Sequence, residues 1–334
     1  MSRLLVALAF TLLASSPPAR IESGLRQQGF SGVVLVARDG KPVLERAYGY
    51  ADTSTHVRNR VDTKFNLASV GKSFTAVAVA QLVQAGKLSF SDKVGRYVPE
   101  LPRKVGGSIT IANLLDHTSG LGDYFASPLY PALQPRLTSL EAYLPMIVHD
   151  TPEGRPGTTF RYSNSGYILL GLVVQRVSGL DYYTYLRRNV FARAGMTHSG
   201  CYFKTARVPN RAVGYAGGAP NTASLPPRGT SAGGCYSTAP DLLRFTEALL
   251  DHRLVNAKLL ATLTTPKVRA PGGSYGFGFG IRDGTIWHNG GSPGVGAEFD
   301  VNRRLGYTVV VLTNHDPETM RPAMNLILDT LRIP

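Results

Sequence analysis

The apolar positions of this chain change period along its length, and the changes mark out three regions. Val33-Val34-Leu35-Val36 is a β-branched apolar run. Arg38-Asp39-Gly40-Lys41 carries an Asp-Gly turn signal, and Val43 to Tyr50 returns as a second run, which predicts a β-hairpin. From Ser69 to about Ala85 the period becomes helical. Phe74, Val77, Ala78, Gln81 and Leu82 fall on one face, while Ala76, Val79, Ala80 and Val83 make the other side apolar too. A helix that is apolar nearly all round belongs in the centre of a domain, and Gly86 is placed to end it as a left-handed cap.

Residues 90 to 200 read as helical and loop-rich. Thr138-Ser139-Leu140-Glu141 has the form of a capping box before a helix over Ala142 to Val148. Ile168 to Val177 and Asp181 to Phe191 follow as further helices. Residues 207 to 234, rich in Pro, Gly, Ala and Thr, predict a long surface loop. Thr238 then caps a helix to Leu250. Strand patterns take over at Tyr275–Ile281, Thr285–His288, Ala297–Val301 and Tyr307–Leu312, and a helix over Pro322–Arg332 closes the chain. Strands at both ends and helices between them predict an α+β fold. One antiparallel sheet is built from both chain ends and flanked by helices, and a mostly helical lobe is inserted beside it. The sheet lobe is expected over about 21–89 and 201–334, the helical lobe over about 90–200, and a functional cleft between them.

Composition sharpens this picture in two places. The first 16 residues join a basic start, Met1-Ser2-Arg3, to an apolar run from Leu4 to Leu13 and then to small residues. About ten apolar residues suit an export signal and fall short of the roughly twenty that span a bilayer. An uncut N-terminal anchor is the alternative, and no later segment reads as a membrane span. The protein is therefore expected to be exported, periplasmic or secreted. Its two cysteines, Cys201 and Cys235, then either form a disulfide or stay as buried thiols. The reading leans narrowly towards free thiols. The net charge of +14 favours anionic partners. Basic residues are scattered, with no basic helix or zinc-finger spacing, so nucleic acid is not an expected partner.

The chemistry concentrates in three motifs. Ser69-Val70-Gly71-Lys72 puts a hydroxyl at the first turn of the central helix and an amine three residues on, on the same face. There the helix N-terminus favours developing negative charge, and poor solvation pushes the amine towards a usable base. Tyr162-Ser163-Asn164 offers a phenol able to relay protons and an amide able to orient a lysine or a substrate. The plain alternative for it is a packed tyrosine beside an asparagine that caps a helix. His288-Asn289-Gly290, followed by Gly291, ends a strand.

In this order the motifs resemble the β-lactamase-like serine hydrolases: class C β-lactamases, D-alanyl-D-alanine carboxypeptidases and related esterases. The similarity extends through Leu114–Leu121, Pro156–Gly171, Ser231–Gly234 with Ser237, Thr238 and Asp241, and His288–Gly294. It covers about residues 32 to 313. It implies Ser69, Lys72 and Tyr162 as catalytic residues, with an oxyanion hole from the backbone N–H groups of Ser69 and Gly291. It also implies Asn164, His288, Gly290 and Gly291 as substrate-binding residues, and neither metal nor organic cofactor. The substrate would be a small molecule or peptide, possibly derived from cell wall. Many β-lactamases carry lysine where this chain has His288, and a histidine is only partly charged near neutral pH. An esterase or carboxypeptidase-like enzyme with weak β-lactamase activity is therefore expected. The alternatives are an efficient class C-like β-lactamase or a non-catalytic protein that binds penicillin or cell-wall peptide.

Gly290-Gly291-Ser292-Pro293-Gly294 also matches a nucleophile elbow, but that motif requires a helix after its serine, which Pro293, Gly294 and Gly296 forbid. His117 is expected to be structural, fixing the Thr118-Ser119-Gly120 turn.

Overall fold

The structure, a computed structural model, describes residues 16–333. The leader expected over residues 1–16 thus lies outside the described residues except for Ser16. None of the described helices is long and apolar enough to cross a membrane.

Eight strands form one fully antiparallel sheet. In chain order they are β1 (Gly32–Arg38), β2 (Lys41–Tyr48), β3 (Val268–Ala270), β4 (Gly273–Tyr275), β5 (Gly280–Arg282), β6 (Thr285–Ser292), β7 (Val295–Asn302) and β8 (Tyr307–Thr313). Across the sheet they run β2-β1-β8-β7-β6-β5-β4-β3, so the first strand pairs with the last, Val33 facing Leu312. The β1–β2 turn forms at Asp39-Gly40, both at positive φ, as a tight hairpin of native twist demands. The strand predicted over 275–281 is instead split. Gly276 N–H bonds Phe279 O, and the intervening loop lays Gly278 against the central helix, where its carbonyl accepts from Ser73 Oγ at 2.8 Å.

Period-2 alternation sends side chains to two separate cores. Val34 and Val36 of β1, with Val309 and Val311 of β8, face two helices from the chain ends: α1 (Pro17–Gln27) and α5 (Met320–Leu331). The sequence reading had no element at α1, whose Ile21 and Leu25 are buried there. Val33, Leu35, Val310 and Leu312 face the larger core. That core continues through α2 (Gly71–Gln84) and α4 (Ala239–Leu250) into α3 (Asn164–Ser178) and the other helices of the middle region. Residues 71–82 of α2 are all buried, as expected of a helix apolar on every side.

The capping box at Thr138–Glu141 does not form. Pro145 lacks the N–H a longer helix needs, and the segment folds as a 3₁₀ turn, Glu141–Tyr143, and one α turn, Leu144–Ile147. By contrast, Thr238 does cap α4, accepting from Asp241 N–H.

Cys201 and Cys235 are joined by a disulfide, against the lean towards free thiols. Their backbones are brought together because Gly200 and Tyr236 exchange two hydrogen bonds in a local antiparallel bridge. Nothing in the spacing of the two residues encodes that pairing.

Candidate active site

The turn entering α2 is held from three directions. Asn66 Oδ1 accepts from Ala68 N–H at 2.9 Å, and Leu67 N–H donates to Cys235 O at 2.8 Å. Gly234 N–H donates to Ala68 O at 3.0 Å. Ala68 takes φ +40°, a left-handed conformation that costs a non-glycine residue energy and is kept only where the surroundings enforce it. Ser69 follows in a 3₁₀ turn, Ala68–Val70. Two glycines allow the close approaches around it. A Cβ on Gly290 would lie 2.7 Å from Ser69 N, so β6 must be bare there, and Gly233 crosses the same turn at φ +141°.

Lys72 is the second residue of α2 and is fully buried. Its Nζ lies 3.2 Å from Ser69 Oγ, 2.7 Å from Asn164 Oδ1 and 2.5 Å from Ala232 O. Burial brings its pKa down to about 7, against the opposing pull of the Asp123 carboxylate. Asn164 is oriented by the same acid, because its Nδ2 donates to Asp123 Oδ2 at 2.6 Å and a carboxylate can only accept. That leaves Oδ1 for the lysine. Asn164 is the first residue of α3, and the capping role falls to Ser163, whose Oγ accepts from Gly166 N–H.

The Tyr162 ring lies against Lys72, its centroid 4.7 Å from Nζ. Crowding by protein raises its pKa above the ordinary phenol value, opposed by the nearby Ser69 hydroxyl, although 38% of the residue stays exposed. His117 stacks on that ring, centroids 4.3 Å apart, and its Nδ1 accepts from Ser163 N–H. The histidine side chain therefore braces the Tyr162–Asn164 segment, while the Thr118–Gly120 turn it was expected to fix is held by Asp116, whose Oδ1 accepts from Thr118 N–H and Oγ1.

The serine opens onto a cleft of about 360 Å³ whose lining includes Ser69, Asn164 and Gly291. Tyr124, Phe125 and Tyr130 form one bank, and Tyr202, Leu225 and Pro226 the other. Among the described residues no group of three or more His, Cys, Asp or Glu is placed to hold a metal ion.

With three distant stretches converging on Ser69, the comparison with known proteins can be made on geometry as well as text. A family model described as Beta-lactamase matches residues 18–331. The chain belongs to this family. A Bacillus subtilis (strain 168) relative, named as a penicillin-binding protein, PbpX, is 33% identical over 297 residues, covering 88% of this chain and 72% of its own. The crystal structure of a penicillin binding protein from Bacillus halodurans is 34% identical, with a TM-score of 0.86 over 92% of this chain and 98% of that one. EstCE1, described as a hydrolase with promiscuous acyltransferase activity, shares the fold at TM-score 0.82 and 24% identity, covering 96% and 99%.

Within this β-lactamase-family chain, two expected substrate contacts stand elsewhere. His288 does not line the cleft. It is 3% exposed, its Nδ1 is 2.6 Å from Asn289 O and its Nε2 is 2.9 Å from Tyr275 Oη. The carbonyl can only accept, so Nδ1 carries the proton and Nε2 accepts from the tyrosine. Burial, with Lys72 nearby, holds its pKa down to about 3, so the ring is neutral where partial charge was expected. Gly290 likewise packs on the Ser69 turn. Asp123 is the site residue that the sequence reading missed. It follows the quoted Leu114–Leu121 segment by two positions, and its one local signal is the turn it caps at Phe125 N–H.

Proposed function

We propose that this protein is an exported serine hydrolase that acts through an acyl-enzyme on small ester or peptide carbonyls, with esters preferred to β-lactams. The observation that carries the reading is the set of partners around Lys72 Nζ. Asn164 Oδ1 and Ala232 O are obligate acceptors, so a neutral amine spends both its N–H bonds on them. Its lone pair is left for the hydroxyl of Ser69. A pKa near 7 leaves an appreciable neutral fraction at neutral pH, while the raised pKa of Tyr162 keeps the phenol protonated. Lys72 is therefore the base, and Tyr162 the proton relay.

The steps follow from those assignments. Lys72 takes the Ser69 hydroxyl proton as Oγ bonds to the substrate carbonyl carbon. Charge on the carbonyl oxygen is met by the backbone N–H groups of Ser69 and Gly291. The proton returns through the Tyr162 hydroxyl to the departing alkoxide or amine as the C–O or C–N bond breaks. Water then repeats the sequence on the Ser69 ester, releasing acid and restoring the hydroxyl. His288, buried and neutral, offers no fixed cation to a substrate carboxylate, which supports esters over penicillins. The disulfide and the leader sequence support an oxidising, exported location.

The test is turnover of p-nitrophenyl acetate and nitrocefin, with mass spectrometry after a fluorophosphonate. The expected result is an adduct on Ser69, faster ester turnover, and a loss of at least about 10³-fold in Ser69→Ala. A stable adduct with no turnover of any substrate would instead mark a binding protein.

A further inference from the structure

Part of the cleft wall, Ser224 to Pro226, belongs to a short strap, residues 221–227, and the way it is tied has a consequence for what the site accepts. Both ends of the strap are anchored on the side of the sheet. Asn221 Nδ2 donates to Pro293 O at 2.8 Å, and Pro227 O accepts from Lys204 N–H at 2.7 Å. Its middle is tied from both banks at once. Lys204 Nζ donates to Leu225 O at 3.0 Å and to Ala223 O at 3.3 Å. From the helical bank, Gln134 Nε2 donates to the same Leu225 O at 3.0 Å and to Ser224 O at 3.3 Å. Gln134 lies ninety-odd positions earlier in the chain and is not part of the cleft wall.

What these ties hold in place is apolar. Leu225 and Pro226 are presented to the cleft, with Phe125 and Tyr130 on the other bank. Phe125 remains 51% exposed at the rim, its ring packed edge-on to Tyr130 with centroids 5.0 Å apart. A cleft of about 360 Å³ with such walls favours a compact apolar or small aromatic group over a long chain.

We propose that the Gln134–Leu225 tie sets the length of group the cleft accepts, restricting the enzyme to compact apolar substituents. This rests on the serine-hydrolase reading for its kinetic consequence, though not for the strap's mechanical role. The strap's carbonyls are bonded by two side chains, one from each bank, so removing one donor loosens the segment without touching Ser69, Lys72, Tyr162 or Asn164. Loss of a side-chain hydrogen bond at the surface is a modest perturbation, and Gln134→Ala is expected to fold and to keep its rate on p-nitrophenyl acetate.

Two measurements on the full chain test the proposal. Hydrogen exchange by mass spectrometry should show faster exchange over 221–227 in Gln134→Ala than in wild type. The ratio of kcat/KM for a long substrate over a short one is read in two series, p-nitrophenyl octanoate over acetate and octyl over ethyl acetate. In the variant this ratio should rise at least tenfold in one series. Unchanged exchange, or faster exchange with unchanged ratios in both series, overturns the proposal. Should wild type turn over no ester at all, the ester preference of the proposed function falls and the length claim falls with it, while the exchange result still decides whether Gln134 holds the strap.

Discussion

The acid behind the amine tunes it. Asp123 does not touch Ser69, yet its carboxylate raises the pKa of Lys72 against the larger lowering by burial, and it fixes which end of the Asn164 amide faces the lysine. In the proposed mechanism the active form of Lys72 is the neutral amine, so activity is lost as pH falls through its pKa, and kcat/KM should rise through an acid limb near pH 7. In Asp123→Asn the raising charge is gone, and the limb should move to lower pH. The plateau should drop by about ten- to a hundredfold, because an amide at 123 can donate as well as accept and no longer fixes which end of Asn164 faces the lysine. A pH–rate profile of the two proteins checks both. A limb that stays put would mean the lysine is not the group titrating. Ser69, Lys72, Tyr162 and Asn164 stood out in the sequence through the joint order of three short motifs and the family resemblance they carry, since each motif alone is unspecific. Asp123 and the tautomer of His288 did not. The first acts through a contact 41 residues away, and the second depends on Tyr275 and on burial, neither of which a tripeptide encodes.

Among the elements, the turn that carries Ser69 leans on the disulfide. Cys235 carries the carbonyl that accepts from Leu67 N–H, and the short pairing of Phe65–Asn66 with Tyr236–Ser237 continues it. The bridge closes a loop of 34 residues, for which chain-entropy arguments give about 3–4 kcal/mol of stabilisation. A Cys201→Ser/Cys235→Ser double variant should therefore melt several degrees lower by calorimetry. It should also turn over substrate more slowly at temperatures well below melting, since the support of the Ser69 turn is loosened. Equal activity with a lower melting temperature would show that the bridge serves the fold alone. The same element scale shows where periodicity succeeds and fails as a guide. The β1–β2 hairpin, α2 and the β7–β8 pair are regular over seven or more residues and were legible. The 275–281 run was read through as one strand because Phe277 and Phe279 alternate correctly, although Gly278 at φ +79° bends it onto α2. Burial against another element, rather than local pattern, decided the outcome there.

For the whole molecule, the sheet carries a charge problem in its middle. Glu298 and Asp300 point from β7 into buried surroundings at 1% exposure each, with Arg321 at 3.8 Å from the first and Arg282 at 3.1 Å from the second. Burial, aided by the neighbouring Glu298, pushes Asp300 up to about 8. A folded pKa above the unfolded one means the native state holds the proton longer. That contribution favours folding at low pH and is lost as pH rises from about 4, with no further loss beyond about 8. In Asp300→Asn the titration is removed. The melting temperature of the variant minus that of wild type should therefore climb between pH 5 and 8 and level off above it. A difference that is flat with pH would show that the Arg282 pairing already compensates the buried charge.

The pairing of Val33 with Leu312 also sets an order of events. A sheet whose opening strand waits for its last has its centre vacant while most of the polypeptide is being made or threaded through a pore. Until residues 307–313 arrive, β1 has the hairpin partner β2 on one edge and open hydrogen-bonding groups on the other. The α4 helix packs on that unfinished surface, and the turn carrying Ser69 packs on the neighbouring strands β6 and β7. Competence for catalysis should thus be an all-at-once property, acquired only when the tail of the chain slides in beside its head.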